Sequence, residues 1–301
     1  MDPFSGEGEL LNITTAFYTH AYQTVLDYDT SALSTENQKT ARLLKNRAQI
    51  ALGQASSVLS SPLKTAKDAA SRSILALAQQ QQDPSSTSAV QTALSLAESD
   101  GEDPTVQICA GTILAAAGEY AKAIELLSKH QGNLEAVALL VQIHLHQNRT
   151  DLAVKEVSAA KRWAQDSLLI NLAESWTNIR QGGSEKYQSA FYVYEELANT
   201  PGTTSPTVLV GQAVAELHLG RHEEAEAALQ QAMNLENADV QAIANSVVLA
   251  SVMGKKADVV QGLLQQLQEK DDKHPLIRDL TERSAAFDAA AAKYAPKVAA
   301  A

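Results

Sequence analysis

One pattern returns five times between Pro104 and Lys270, and it limits the possible folds of this chain more than any other feature. The clearest copy, PTVQICAGTILAAAGEYAKAIELLSKH, has an apolar helical run containing Gly111, a turn at Gly118, the aromatic Tyr120, and a second run with Ala123 five residues past the turn. In the next copy Asn148 takes the turn, and Ala153 and Ala160 follow in register. The third has Leu169, Ala173 and Trp176 in its first helix, then QGGSEKY, read as a turn enlarged by about five residues, then Ala190, Tyr194 and Leu197. The fourth restores the short turn at Gly220, with Ala213, Ala225, Leu229 and Ala232. The fifth begins near Asp239 and turns at Gly254, 34 positions after Gly220. The physics behind these residue types is direct. Two helices approach closely only where facing side chains are small, and a helix that ends in left-handed conformation favours Gly or Asn.

Helix pairs repeating every 34 residues are the tetratricopeptide layout. The expected fold is therefore all-α, a tetratricopeptide-like superhelix or α-solenoid. Behind Pro275, HPLIRDLTERSAAFDAAAAKYAP reads as the terminal helix that caps such a stack. The first hundred residues repeat less regularly. Helices are expected over 15–28, 37–59 (turning at Gly53), 63–82 and 88–98, with the polar QQQQDPSSTS, residues 79–88, as a loop. The resulting division is a flexible N-terminal tail at 1–12, irregular helical repeats at 13–103, regular repeats at 104–270, and a capping helix and tail at 271–301.

Charge and motifs narrow the function. A net charge of -11 opposes attraction to phosphate backbones and anionic headgroups, which leaves a protein as the expected partner rather than nucleic acid or a lipid surface. No apolar run approaches the roughly 18 residues that a membrane span needs, and MDPFSGEGELLN has no signal-peptide character, so the chain is expected to stay in the cytosol. There is no phosphate loop, nucleophile elbow, CxxC pair or HExxH string, so neither an enzyme nor a cofactor is expected. His218 and His222 stand four apart but lack a general base between them, and His144 and His146 face different sides of one helix. Cys109 reads as an inert core thiol, the sequons at Asn12 and Asn148 as chance matches, and Asp2-Pro3-Phe4 as a short adaptor-like motif without structural context.

The strongest functional signal is apolar. Counted from the turn residues, the position expected to look into the superhelix is Ile108, Ala138, Ile170, Val210 and Ala244 in successive repeats, and Leu145, Val214, Leu217 and Val248 extend the same stripe. Such a face suits an extended apolar segment of a partner held more or less permanently. A clamp for an acidic peptide tail, as in a soluble co-chaperone, would need cations there, and only Arg42, Asn46 and Arg47 are candidates.

Several strings carry a more specific resemblance: AFYTHAYQTVL, NRAQIALGQASSVL around Gly53, LAESWTNIRQGGSEKYQSAFYVYEELA, GQAVAELHLGRHEEAEAALQQAM, and the ending from His274. Together they resemble the epsilon-subunit family of coatomer, the COPI vesicle coat, over nearly the whole chain. The Gln- and Ser-rich stretch 63–103 matches little. The resemblance implies a non-catalytic coat subunit whose helices form a bracelet around the C-terminal domain of the coatomer alpha subunit. It also implies a peripheral place on the cytosolic side of Golgi membranes and coated vesicles, in Golgi-to-endoplasmic-reticulum retrograde and intra-Golgi transport.

Overall fold

Turn glycines and buried alanines organise the chain as the repeat pattern requires. The computed structural model describes residues 6–235 and 240–294, which contain seventeen α-helices, one 3-10 turn at Pro62–Thr65 and no strand. The start of the fifth repeat near Asp239 and the Asp2-Pro3-Phe4 motif lie outside the described residues.

Two compact units result, Met1–Ser205 and Pro206–Ala301. The first contains α1 (Gly6–Tyr18), α2 (Tyr22–Asp27), α3 (Thr35–Ala51), α4 (Ala55–Ser60), α5 (Ala69–Gln82), α6 (Thr87–Ser99), α7 (Pro104–Ala116), α8 (Tyr120–Leu127), α9 (Leu134–His146), α10 (Thr150–Ala160), α11 (Leu168–Gln181) and α12 (Ser184–Asn199). The second contains α13 (Pro206–His218), α14 (His222–Asn234), α15 (Val240–Val252), α16 (Ala257–Lys270) and α17 (Pro275–Ala291).

Within each unit the helices pack as successive antiparallel pairs, each pair also resting on the next. Gly118 (φ 80°), Asn148 (φ 58°), Gly220 (φ 76°) and Gly254 (φ 65°) all turn in the left-handed region. Five residues on, Ala123, Ala153 and Ala225 are fully buried, as small residues at a helix crossing should be. Gly111 shows how close the approach is, because a Cβ there would stand 3.0 Å from the Leu127 side chain. Helix starts are fixed by side-chain caps. The Asp103 carboxylate accepts from the N–H groups of Thr105 and Val106, Asn133 from Glu135 and Ala136, and Asp68 from Ser71.

Several expectations need correction. The third turn is not enlarged: α11 runs unbroken to Gln181, Gly182 and Gly183 alone make the turn, and Ser184 to Tyr187 belong to α12. Its extra residues lengthen the two helices, because consecutive glycines at φ 80° and 103° reverse the chain in two steps. Residues 6–12 are helical rather than a loose tail, and α1 buries Ile13 and Ala16 against Ala41 and Leu44 of α3. The helix expected over 15–28 is broken after Tyr18, where His20 adopts φ 63°, and the one expected from Leu63 starts only at Ala69, behind the Asp68 cap. The polar break shrinks to Asp83–Ser86, since the glutamines before it complete α5. Val259, the counterpart of Ala225 one repeat later, is exposed rather than buried.

Candidate functional site

In the first unit, helices α3, α5, α7, α9 and α11 turn one face toward a common groove of about 350 Å³, which Phe17, Tyr18, His20 and Tyr22 also line. Its walls are the expected apolar stripe, in part. Ile108 with Thr112 from α7, and Ala138 with Leu139 and Gln142 from α9, line it as the turn-based count predicts. From α11 the lining residues are Leu169, Leu172 and Trp176, and Ile170 is not among them. Ile170 is fully buried between Val137 and Ala160, so its assignment to the open face is corrected. The cause is the misread turn. Ile108 and Ala138 lie ten residues before Gly118 and Asn148, and ten before Gly182 is Leu172. Leu145 also belongs to internal packing, against Val141, Ala153, Val157 and Ala173.

Two charges sit in this groove. Arg47 of α3 donates to both carboxylate oxygens of Glu135 on α9, at 2.9 and 3.3 Å, and its guanidinium lies 4.6 Å from the centre of the Phe17 ring. The two side chains are 13% and 15% exposed, so the pair is largely desolvated. Burial works against the Arg47 charge, and the facing Glu135 keeps it. Burial and then Glu135 push the Tyr18 phenol well above its ordinary range, so it stays protonated. The ends of the unit also meet here, since the Ser205 hydroxyl donates to the Thr19 carbonyl. The three clamp candidates are therefore spent in part. Arg47 is bound to Glu135, Asn46 donates to the Arg42 carbonyl of its own helix, and Arg42 alone is exposed.

In the second unit the equivalent face belongs to α13 and α15. Val210, Val214 and Leu217 share one arc of α13, with Val214 and Leu217 half-buried. On α15 the counterparts of Val210, Val214 and Leu217 are Ala244, Val248 and Ser251, with Val248 40% exposed, and Val252, 55% exposed, lies one turn past Val248 on a face shared with Gln241 and Asn245. Val214 and Val248 are one 34-residue repeat apart and occupy the same place on their helices. Ala244 departs from the stripe, packing beside Ile243 and Leu267 in the unit's interior. Val252, missed in the sequence reading, was legible as the residue one helical turn past Val248.

The remaining candidates resolve simply. Cys109 is fully buried, and burial pushes its thiol up to about 11. His144 is buried, which lowers its pKa, while His146 is exposed with its ring 5.4 Å from that of Tyr120. Among the described residues no group of three or more His, Cys, Asp or Glu side chains could hold a metal ion, and no helix is long and apolar enough to cross a membrane.

Stacked helix pairs presenting apolar faces define a tetratricopeptide-like scaffold. Solved structures agree on the fold. A tetratricopeptide repeat protein from Parabacteroides merdae superposes with a TM-score of 0.58 at 11% identity, over 90% of this chain and 98% of that one. The APC/C hetero-tetramer Cut9-Hcn1 gives 0.59 at 13%, over 92% and 54%. The particular family comes from sequence. The family model described as coatomer epsilon subunit matches residues 6–295. The probable coatomer subunit epsilon of Schizosaccharomyces pombe is 32% identical over 258 residues, 84% of this chain and 85% of that protein. Coatomer subunit epsilon-1 of Arabidopsis thaliana is 29% identical over 98% of this chain and all of its own length. The chain belongs to the coatomer epsilon subunit family, which makes it a component of the COPI coat in vesicle transport.

Proposed function

We propose that this chain is a non-catalytic scaffold subunit that holds the C-terminal domain of the coatomer alpha subunit against its apolar helix faces. Through that partner it sits peripherally on the cytosolic side of Golgi membranes and COPI vesicles, in retrograde Golgi-to-endoplasmic-reticulum and intra-Golgi transport. The observation that carries the reading is the exposed pair Val248 and Val252 on α15 of the second unit, with half-buried Val214 of α13 at the place equivalent to Val248. Apolar side chains in a row on one face gain free energy when a partner removes them from water. The groove of the first unit adds an apolar wall carrying one satisfied ion pair, which a partner segment can cover without stranding a charge.

A charge-reading co-chaperone clamp is the competing reading, and the engagement of Arg47 and Asn46 within the chain weighs against it. Recovery of the protein from cytosol in high salt separates the two, because salt weakens a charge clamp and not an apolar contact. Coat subunits, the alpha subunit foremost, should remain bound, and a chaperone with an acidic tail in their place would reverse the reading. Val248→Asp should weaken retention of the alpha subunit at least about tenfold while helix content stays intact. Val210, only 9% exposed, is too enclosed to serve as the same probe.

A further inference from the structure

Proline follows a hydroxyl residue at Ser61, Thr200 and Ser205. The residue before proline is held extended, and proline brings no N–H that a protein groove would leave unpaired. A Ser/Thr kinase therefore reads such a dipeptide largely from its backbone, and a cation three residues past the acceptor adds a charge that an acidic kinase surface selects. Only Ser61 has one. The string SPLK places Lys64 there, while Thr203 and Val208 hold the same position after Thr200 and Ser205.

The structure separates the three further. Ser205 is 2% exposed, and its hydroxyl donates to the Thr19 carbonyl. Thr200 is exposed, but it follows Glu195 and Glu196 in the last turn of α12, where added negative charge is repelled. Ser61 opens the connection between α4 and α5 with an extended backbone, φ -72° and ψ 166°, and Pro62, Lys64, Thr65 and Lys67 beyond it are exposed.

We propose that Ser61 is a phosphorylation site for a proline-directed Ser/Thr kinase that favours a basic residue three positions on. The Ser61 hydroxyl oxygen attacks the γ-phosphorus of ATP, the bond to the β-phosphate oxygen breaks, ADP leaves, and the hydroxyl proton passes to the kinase's base. In the folded chain that hydroxyl donates to the Val58 carbonyl at 2.7 Å and accepts from the Leu63 N–H at 3.3 Å. Presenting it to a kinase requires the Pro62–Thr65 turn to open, and little holds that turn. The Lys64 N–H bonds to the Ser61 carbonyl, the Ala66 N–H to the Leu63 carbonyl, and within the turn Leu63 alone is buried. Short 3-10 turns have poorer hydrogen bonds than α-helices and open at lower cost.

The surroundings also suit the product. Residues 37–82 carry seven Lys and Arg against one acid, Asp68, in a chain of net charge -11. Lys39 of α3 lies close enough to Asp68 to act on its carboxylate, so α3 brings a further cation to the start of α5. A phosphate, with a charge of about -1.5 to -2, meets Lys64 and Lys67 here rather than carboxylates. It cancels the excess of Lys64, Lys67 and Arg72 over Asp68 along this connection, and so switches the sign of the surface from basic to neutral.

Incubation of the full, folded chain with a purified cyclin-dependent kinase and Mg-ATP tests the proposal, with the phosphate counted by intact mass and located by fragment sequencing. The expected product carries one phosphate, on Ser61. Ser61→Ala should abolish its incorporation, but that change also removes the bond to Val58. Lys64→Glu alters an exposed side chain, leaves the acceptor in place, and should lower the initial rate at least about tenfold. Failure to modify Ser61, modification of Thr200 in preference to it, or a rate indifferent to Lys64→Glu would overturn the assignment.

Discussion

The two units carry the same repeat and spend it differently. In the first, five helices turn one face toward one groove, and the chain lines part of it with its own aromatic residues and the Arg47–Glu135 pair. In the second, α13 and α15 bury Val210 and Ala244 but leave Val248 and Val252 in water. A repeat fixes which residues share a helix face; how many neighbours then crowd that face depends on the number of helices that turn together. The groove of the first unit is thus a preorganised, partly self-satisfied surface, and the stripe of the second is the one with the most to gain from a partner.

The largest effect is expected at Arg47. Arg47→Ala strands the Glu135 carboxylate in a desolvated site and should cost about 3–5 kcal/mol in urea unfolding. Replacing both partners, Arg47→Met with Glu135→Leu, should recover most of that loss, because a well-packed apolar pair avoids the desolvation of two charges. A neutral Arg47→Ala would mean that the groove charges are hydrated and that the units differ less than their burial implies.

Next in size is Ile170. If it is core, Ile170→Ala should destabilise the chain by about 2–5 kcal/mol through the cavity it leaves between Val137 and Ala160, with partner retention unchanged where the protein stays folded. Loss of partner with normal stability would return Ile170 to the binding face. The smallest effect is expected at Val252, where Val252→Ser should move stability by no more than about 0.5 kcal/mol and still loosen the partner. A large stability loss there would show that the stripe is packed in solution rather than open.

Much of this was legible in residue spacing. The turns at Gly118, Asn148, Gly220 and Gly254, the buried alanines after them, and the shared arc of Val210, Val214 and Leu217 all follow from positive-φ chemistry and helical periodicity, which are local properties. The third repeat shows where counting fails. Two adjacent glycines and a polar run look like a longer loop, and only the structure places Ser184 to Tyr187 inside α12 and so moves the groove position from Ile170 to Leu172. Had the count started at Gly182 itself, the sequence would have given Leu172.

Fold class and family were therefore settled by the sequence alone, because a repeat of turn, small residue and apolar register is written in short-range order. Which apolar residues face a groove, which are consumed in the core, and that Arg47 finds Glu135 across 88 residues were decided by tertiary packing. Burial is a property of neighbours distant along the chain, and no local pattern encodes how many of them arrive.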